Sequence, residues 1–74
     1  MADHSIDARR LLCPMPVIRL QGAVSKAISG ETIEIVCTDP GTRSDIPAWC
    51  RVHQHEIVDQ REIEDEFRFI VLKS

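Results

Sequence analysis

The residues best suited to chemistry lie in "LLCPMPVIRL", positions 11–20, where Cys13 is followed by Pro14 and Pro16. A thiol reacts through its thiolate, so its surroundings decide what it can do. Pro14 fits the opening of a helix, because a proline costs least in the first turn, where its missing N–H has no partner. With Cys13 at the cap of that helix, the dipole's positive end favours the thiolate. The thiol is then expected to titrate below the reference of about 8.5. Pro14 and Pro16 remove two donors and stiffen the turn, leaving the amides of Met15 and Val17 to face the sulfur. No second cysteine lies close enough for a C-x-x-C dithiol, and no Ser/His/Asp pattern surrounds the site. One exposed, activated thiol on a rigid turn suits the carrying of a group on sulfur.

The other polar and sulfur side chains have plainer explanations. Cys37 alternates with Ile33 and Ile35, and Cys50 follows Trp49 on an apolar helix face, so both are expected in the core. Cys50, His53 and His55 ("CRVHQH") offer at most three ligands, split between a helix and the following turn. They have no paired-cysteine spacing, and no metal is assigned to them. His55 is expected to cap or pack the turn into the third strand. Met15, adaptable and apolar, is available to meet a partner. Arg9, Arg10 and Arg19 are candidates for docking that partner or steadying a charged sulfur species.

At 74 residues, 43% of them hydrophobic, the chain is expected to form one domain over residues 1–74 with a modest core. No apolar run approaches the length that crosses a bilayer. The opening "MADHSIDARR" lacks the apolar stretch of a signal peptide, which predicts a cytoplasmic protein with no membrane partner. Three cysteines, an odd number at irregular spacing, argue against a secreted disulfide scaffold. A net charge of −3, a pI near 5.5 and only three aromatic residues make a poor footprint for direct nucleic-acid binding. The charge is uneven: residues 9–51 hold six basic side chains against four acidic ones, whereas residues 56–66 hold six acidic ones and Arg61. The basic segment suits an acidic protein partner.

The elements that must position Cys13 follow from periodicity. "HSIDAR" reads as an edge strand. Val17, Leu20, Val24, Ala27 and Ile28 mark the buried stripe of a helix that "SG" at 29–30 closes with a glycine cap. Gly22 sits inside that helix at some cost. "ETIEIVCTD" alternates as a strand with one buried face. "DPGT" turns into a second helix between Thr42 and Gln54, with Ile46, Trp49, Cys50 and His53 on one face. Pro47 fits that helix best if Ser44 or Asp45 lies near its cap. "EIVDQREI" and "EFRFIVLK" form a hairpin at "EDE", without a glycine. The order βαβαββ predicts an α+β two-layer sandwich: a four-stranded mixed sheet with two helices on one face.

Over nearly its whole length the chain resembles the TusA/SirA family of sulfur carriers. Cys13, Pro14, Met15 and Pro16 match the family's cysteine-proline-x-proline turn. Asp39, Pro40, Asp45, Ile46, Pro47, Trp49 and Cys50 match a second block. The resemblance implies the same βαβαββ fold and a cytoplasmic sulfurtransferase-type carrier that acts as a protein co-substrate, needs no cofactor and works as a monomer. Cys13 would take sulfane sulfur as a persulfide from a cysteine desulfurase or a rhodanese-type donor. It would then pass that sulfur to an acceptor protein, for tRNA 2-thiolation, molybdenum cofactor assembly or sulfur oxidation. Members often carry glycine three residues before the motif cysteine, where this chain has Arg10, and a more basic first helix than "RLQGAV" with its Arg19. Two rival readings stand beside this one. The first is a non-catalytic interaction or regulatory module. The second is a thiol redox sensor in which Cys13 is resolved by a partner or by Cys50, the latter requiring Cα atoms within about 7 Å.

Overall fold

The computed structural model describes residues 2–74. Its elements are β1 (His4–Ala8), α1 (Met15–Lys26), β2 (Thr32–Cys37), α2 (Thr42–Val52), β3 (Glu56–Ile63) and β4 (Glu66–Leu72), the βαβαββ order expected. The four strands form one sheet in the order β1-β2-β4-β3. β1 runs parallel to β2, whereas the β2–β4 and β3–β4 pairs are antiparallel. Strand alternation sends Ile33, Ile35 and Cys37 of β2 and Phe67, Phe69 and Val71 of β4 to the helix-covered face. There they meet Leu20 and Val24 of α1 and Ile46 and Cys50 of α2. Phe69 is fully buried at the centre of this layer. Removing a side chain of that size from water stabilises the fold by about 1.5–3 kcal/mol. The opposite face is polar: the Arg68 guanidinium lies 3.7 Å from carboxylate oxygens of both Glu34 and Glu66. β3, the acid-rich edge, carries a bulge between Ile57 and Asp59, which together with its charges discourages edge-to-edge pairing.

Several local expectations change. Ile28 is not part of the buried stripe but 69% exposed, because α1 ends at Lys26 and Ala27 is already extended (ψ 158°). Pro16 is buried at the other end of the stripe instead. No glycine caps this helix. Lys73 Nζ donates to the carbonyls of Val24 (2.7 Å) and Ala27 (2.5 Å), placing a cation at the negative end of the helix. Gly30 (φ 91°) serves a later turn, with its N–H donating to the Lys73 carbonyl at 2.8 Å.

α2 starts earlier than the expected Ser44 or Asp45. The Thr42 hydroxyl and amide both donate to the Asp39 carbonyl, at 2.7 and 3.0 Å, and Pro47 falls inside the helix. There its missing N–H leaves the carbonyl of the exposed Arg43 without its helical donor. The β3–β4 turn is tighter than "EDE": Glu66 already pairs with Ile63. Glu64 and Asp65 take φ values of 51° and 65°, the two left-handed residues of a two-residue hairpin loop. Arg10 also has positive φ (67°), a conformation that glycine adopts at no steric cost. Its amide donates to Thr38 Oγ1 at 2.8 Å, holding a conformation that costs a non-glycine residue about 1 kcal/mol. Among the described residues no helix is long and apolar enough to cross a membrane.

Candidate functional site

Parallel pairing of β1 and β2 delivers both strand-to-helix connections to one end of the sheet, with Ala8 beside Cys37 as the last pair. The first connection carries Cys13 and the second carries Asp39, so residues far apart in sequence meet there. Cys13 is exposed and free. Its amide donates to Asp39 Oδ2 at 3.0 Å, and its Sγ donates to Asp45 Oδ2 at 2.5 Å from the first turn of α2. Gly41 makes room for this convergence. A Cβ placed on it would stand 3.3 Å from Asp39 Oδ2 and 3.7 Å from Asp45 Oδ2.

This geometry reverses the expected electrostatics of Cys13. The N-cap of α1 is Pro14, so Cys13 stands one residue outside it. The Met15 amide, expected to face sulfur, donates instead to the Leu12 carbonyl at 2.8 Å. The Asp45 hydrogen bond raises the thiol above its ordinary pKa of 9.0, helped by partial removal from water and by the charges of Asp45 and Asp39. The resting thiol is therefore protonated and held by a carboxylate, rather than poised as a thiolate by helix amides.

Exposed apolar side chains border the Cys13 turn along the chain as a rim: Leu12 is 73% and Met15 40% exposed, and Ile18, one turn beyond Met15 on α1, is 50% exposed. Pro16 is buried beneath them and Val17 packs against the core, which fixes the start of the helix. The arginines divide. Arg9 leaves the sulfur for the end of β4, donating to Glu66 at 2.7 and 3.3 Å and approaching Asp7 at 3.4 Å. Arg10 and Arg19 have exposed side chains, and Arg19 lines a groove between α1 and β1 with Gly22 and Lys26.

Cys37 and Cys50 are buried, and burial pushes both thiols up to about 11. His53 and His55 lie against Trp49, with ring centroids 4.7 and 5.4 Å away. Nδ1 of His55 accepts from the Ser74 amide at 3.3 Å, while burial, with His53 and Lys73 nearby, lowers its pKa from 6.5. Asp39 and Asp45 are the site residues whose part the sequence reading missed, although both stood in the quoted motif. The available signal was topological: in a βαβ unit, acids opening the second helix lie level with the end of the first connection.

The sequence matches the family described as Sulfurtransferase TusA over residues 4–73. It is 33% identical over 73 residues to YrkI of Bacillus subtilis (strain 168), provisionally named a sulfur carrier protein, covering 99% of this chain and 97% of that one. The fold superposes on a crystal structure of a SirA-like protein from Desulfitobacterium hafniense with a TM-score of 0.83 at 18% identity, covering 93% of this chain and 95% of that one. With the match spanning almost every residue from β1 to Lys73, the chain belongs to the TusA sulfurtransferase family.

Proposed function

We propose that this protein is a persulfide sulfur carrier that loads on Cys13. A cysteine desulfurase or rhodanese-type protein supplies sulfane sulfur, and Cys13 holds it as Cys13–S–SH. An acceptor thiolate then attacks the outer sulfur, and Cys13 leaves as the thiol once protonated. The single observation that carries the reading is that, of three free cysteines, only Cys13 is exposed, on a turn whose neighbours Leu12 and Met15 are exposed too. Leu12, Met15 and Ile18 form a surface that a donor or acceptor can cover, excluding water from the sulfur as it moves. Pro14, Met15, Pro16 and Val17 hold the turn, and Arg10 and Arg19 are left to steer an acidic partner. The protein acts as a cytoplasmic monomer and a co-substrate, serving tRNA thiolation, molybdenum cofactor assembly or sulfur oxidation through the acceptor, without touching nucleic acid itself. A redox sensor resolved within the chain is less well supported, because Cys37 and Cys50 are 0% and 2% exposed.

The test is to incubate the protein with a cysteine desulfurase and cysteine and read the intact mass without reductant. One added sulfur atom on the wild type, lost in Cys13→Ser, supports the carrier. Unchanged loading of Cys13→Ser refutes it.

A further inference from the structure

We propose that Asp45 is the proton acceptor of the Cys13 site: its Oδ2 holds the Sγ–H at rest and takes the proton as sulfur is accepted. The inference deepens the carrier reading and rests on it for the transfer step. The observation is the 2.5 Å contact between Cys13 Sγ and Asp45 Oδ2. The sulfur is oriented as well, because Asp39 fixes the Cys13 amide at 3.0 Å while Asp45 fixes Sγ. The titratable groups facing the sulfur are Asp45, from α2, and Asp39, from the loop before it. Among the described residues neither carboxylate belongs to an ion pair, so Asp45 is free to act as a base.

The step balances without an added reagent. Cys13 Sγ forms a bond to the outer sulfur of a donor persulfide, R–S–SH, while its own proton passes to Asp45 Oδ2. The donor's S–S bond breaks, and R–S⁻ leaves with the electron pair. The proton on Asp45 then goes to that thiolate or to water. The sum is R–S–SH + Cys13–SH giving R–SH + Cys13–S–SH, with one S–S bond broken and one formed. A carboxylate beside the thiol thus has two opposite effects. It suppresses free thiolate, and so slows any reagent that needs one, yet it assists a partner that places sulfur within reach.

That opposition defines the experiment. Wild type, Asp45→Asn and Asp45→Glu are compared in two assays: alkylation of Cys13 by a small neutral electrophile across pH, and sulfur acceptance from a desulfurase with cysteine. Thermal unfolding confirms that each variant is folded. In Asp45→Asn the alkylation midpoint should fall and the neutral-pH alkylation rate should rise. Sulfur acceptance should drop by roughly a hundredfold or more, the scale of one lost acid–base group. Asp45→Glu should recover part of the acceptance. A midpoint in Asp45→Asn equal to or above wild type overturns the resting contact. Acceptance that rises together with alkylation overturns the proton-accepting role, since Asp45 would then only suppress the thiolate. A wild type that takes no sulfur sinks the carrier reading and the transfer step together, while the alkylation midpoints still decide whether Asp45 holds the proton.

Discussion

The three cysteines are all protonated at neutral pH, but by two different mechanisms. Cys37 and Cys50 sit in the helix–sheet layer, where the absence of water makes a thiolate costly. Cys13 is open to solvent, and its proton is held by a neighbouring carboxylate. The first mechanism is spread over a whole core and cannot be undone without unfolding. The second resides in one contact, which a bound partner or a single substitution can change. What sets Cys13 apart is thus the locality of what restrains it rather than the direction of its pKa shift.

Substitutions can break this contrast, and the largest effect should come from Cys13→Ser. It should abolish sulfur loading with little change in the unfolding midpoint, because its side chain leaves the core untouched; a large stability loss would mean that the thiol has a structural role. Cys50→Ser should do the reverse. A hydroxyl in that apolar layer should cost about 1–3 kcal/mol by chemical denaturation, with loading preserved. Cys37→Ser should cost less, since the Thr42 hydroxyl lies within hydrogen-bonding reach of that position.

The core pair also sets an alkaline limit. Their folded pKa values lie above the ordinary 9.0, so the unfolded chain loses these protons first as pH rises. The stability they contribute is whole below pH 9 and drains away towards about pH 11. Denaturation midpoints taken across that window should fall in the wild type, and by less in a Cys37→Ala/Cys50→Ala variant. The smallest effect concerns the rim: Met15→Asp should weaken sulfur transfer from a partner several-fold while leaving the small-electrophile alkylation midpoint close to that of the wild type. Equal losses in both assays would tie Met15 to the thiol itself rather than to docking.

What the sequence showed, and what it hid, divide along the same line. Alternation of Ile33, Ile35 and Cys37 around Glu34 was enough to read β2 and its buried face, because period-2 burial is a local signal. The stripe through Leu20 and Val24 likewise gave α1, but its end was misplaced. The stop comes from Lys73, at the far end of the chain, reaching the last carbonyls rather than from the glycine nearby. The exposure of Cys13 was legible from its own turn. Its electrostatics were not, because they depend on two side chains supplied by another element, and a cap argument sees only residues adjacent in sequence. The positive φ of Arg10, Glu64 and Asp65 escaped for a related reason: each is imposed by where the chain must go next, and none carries a glycine to announce it.

Gly41 offers a way to treat distance and charge as separate variables. At φ −60° its backbone is open to any residue, so alanine there introduces no torsional penalty. The added methyl would nonetheless press on the Asp39 carboxylate at 3.3 Å while standing at ordinary contact distance from that of Asp45. It works as a wedge one carbon wide, moving Asp39, which holds the Cys13 amide, by a few tenths of an ångström while every formal charge stays in place. The variant should therefore keep its fold but hold a worse-aligned sulfur. On that view the small residue at the mouth of α2 serves the site through the clearance it gives.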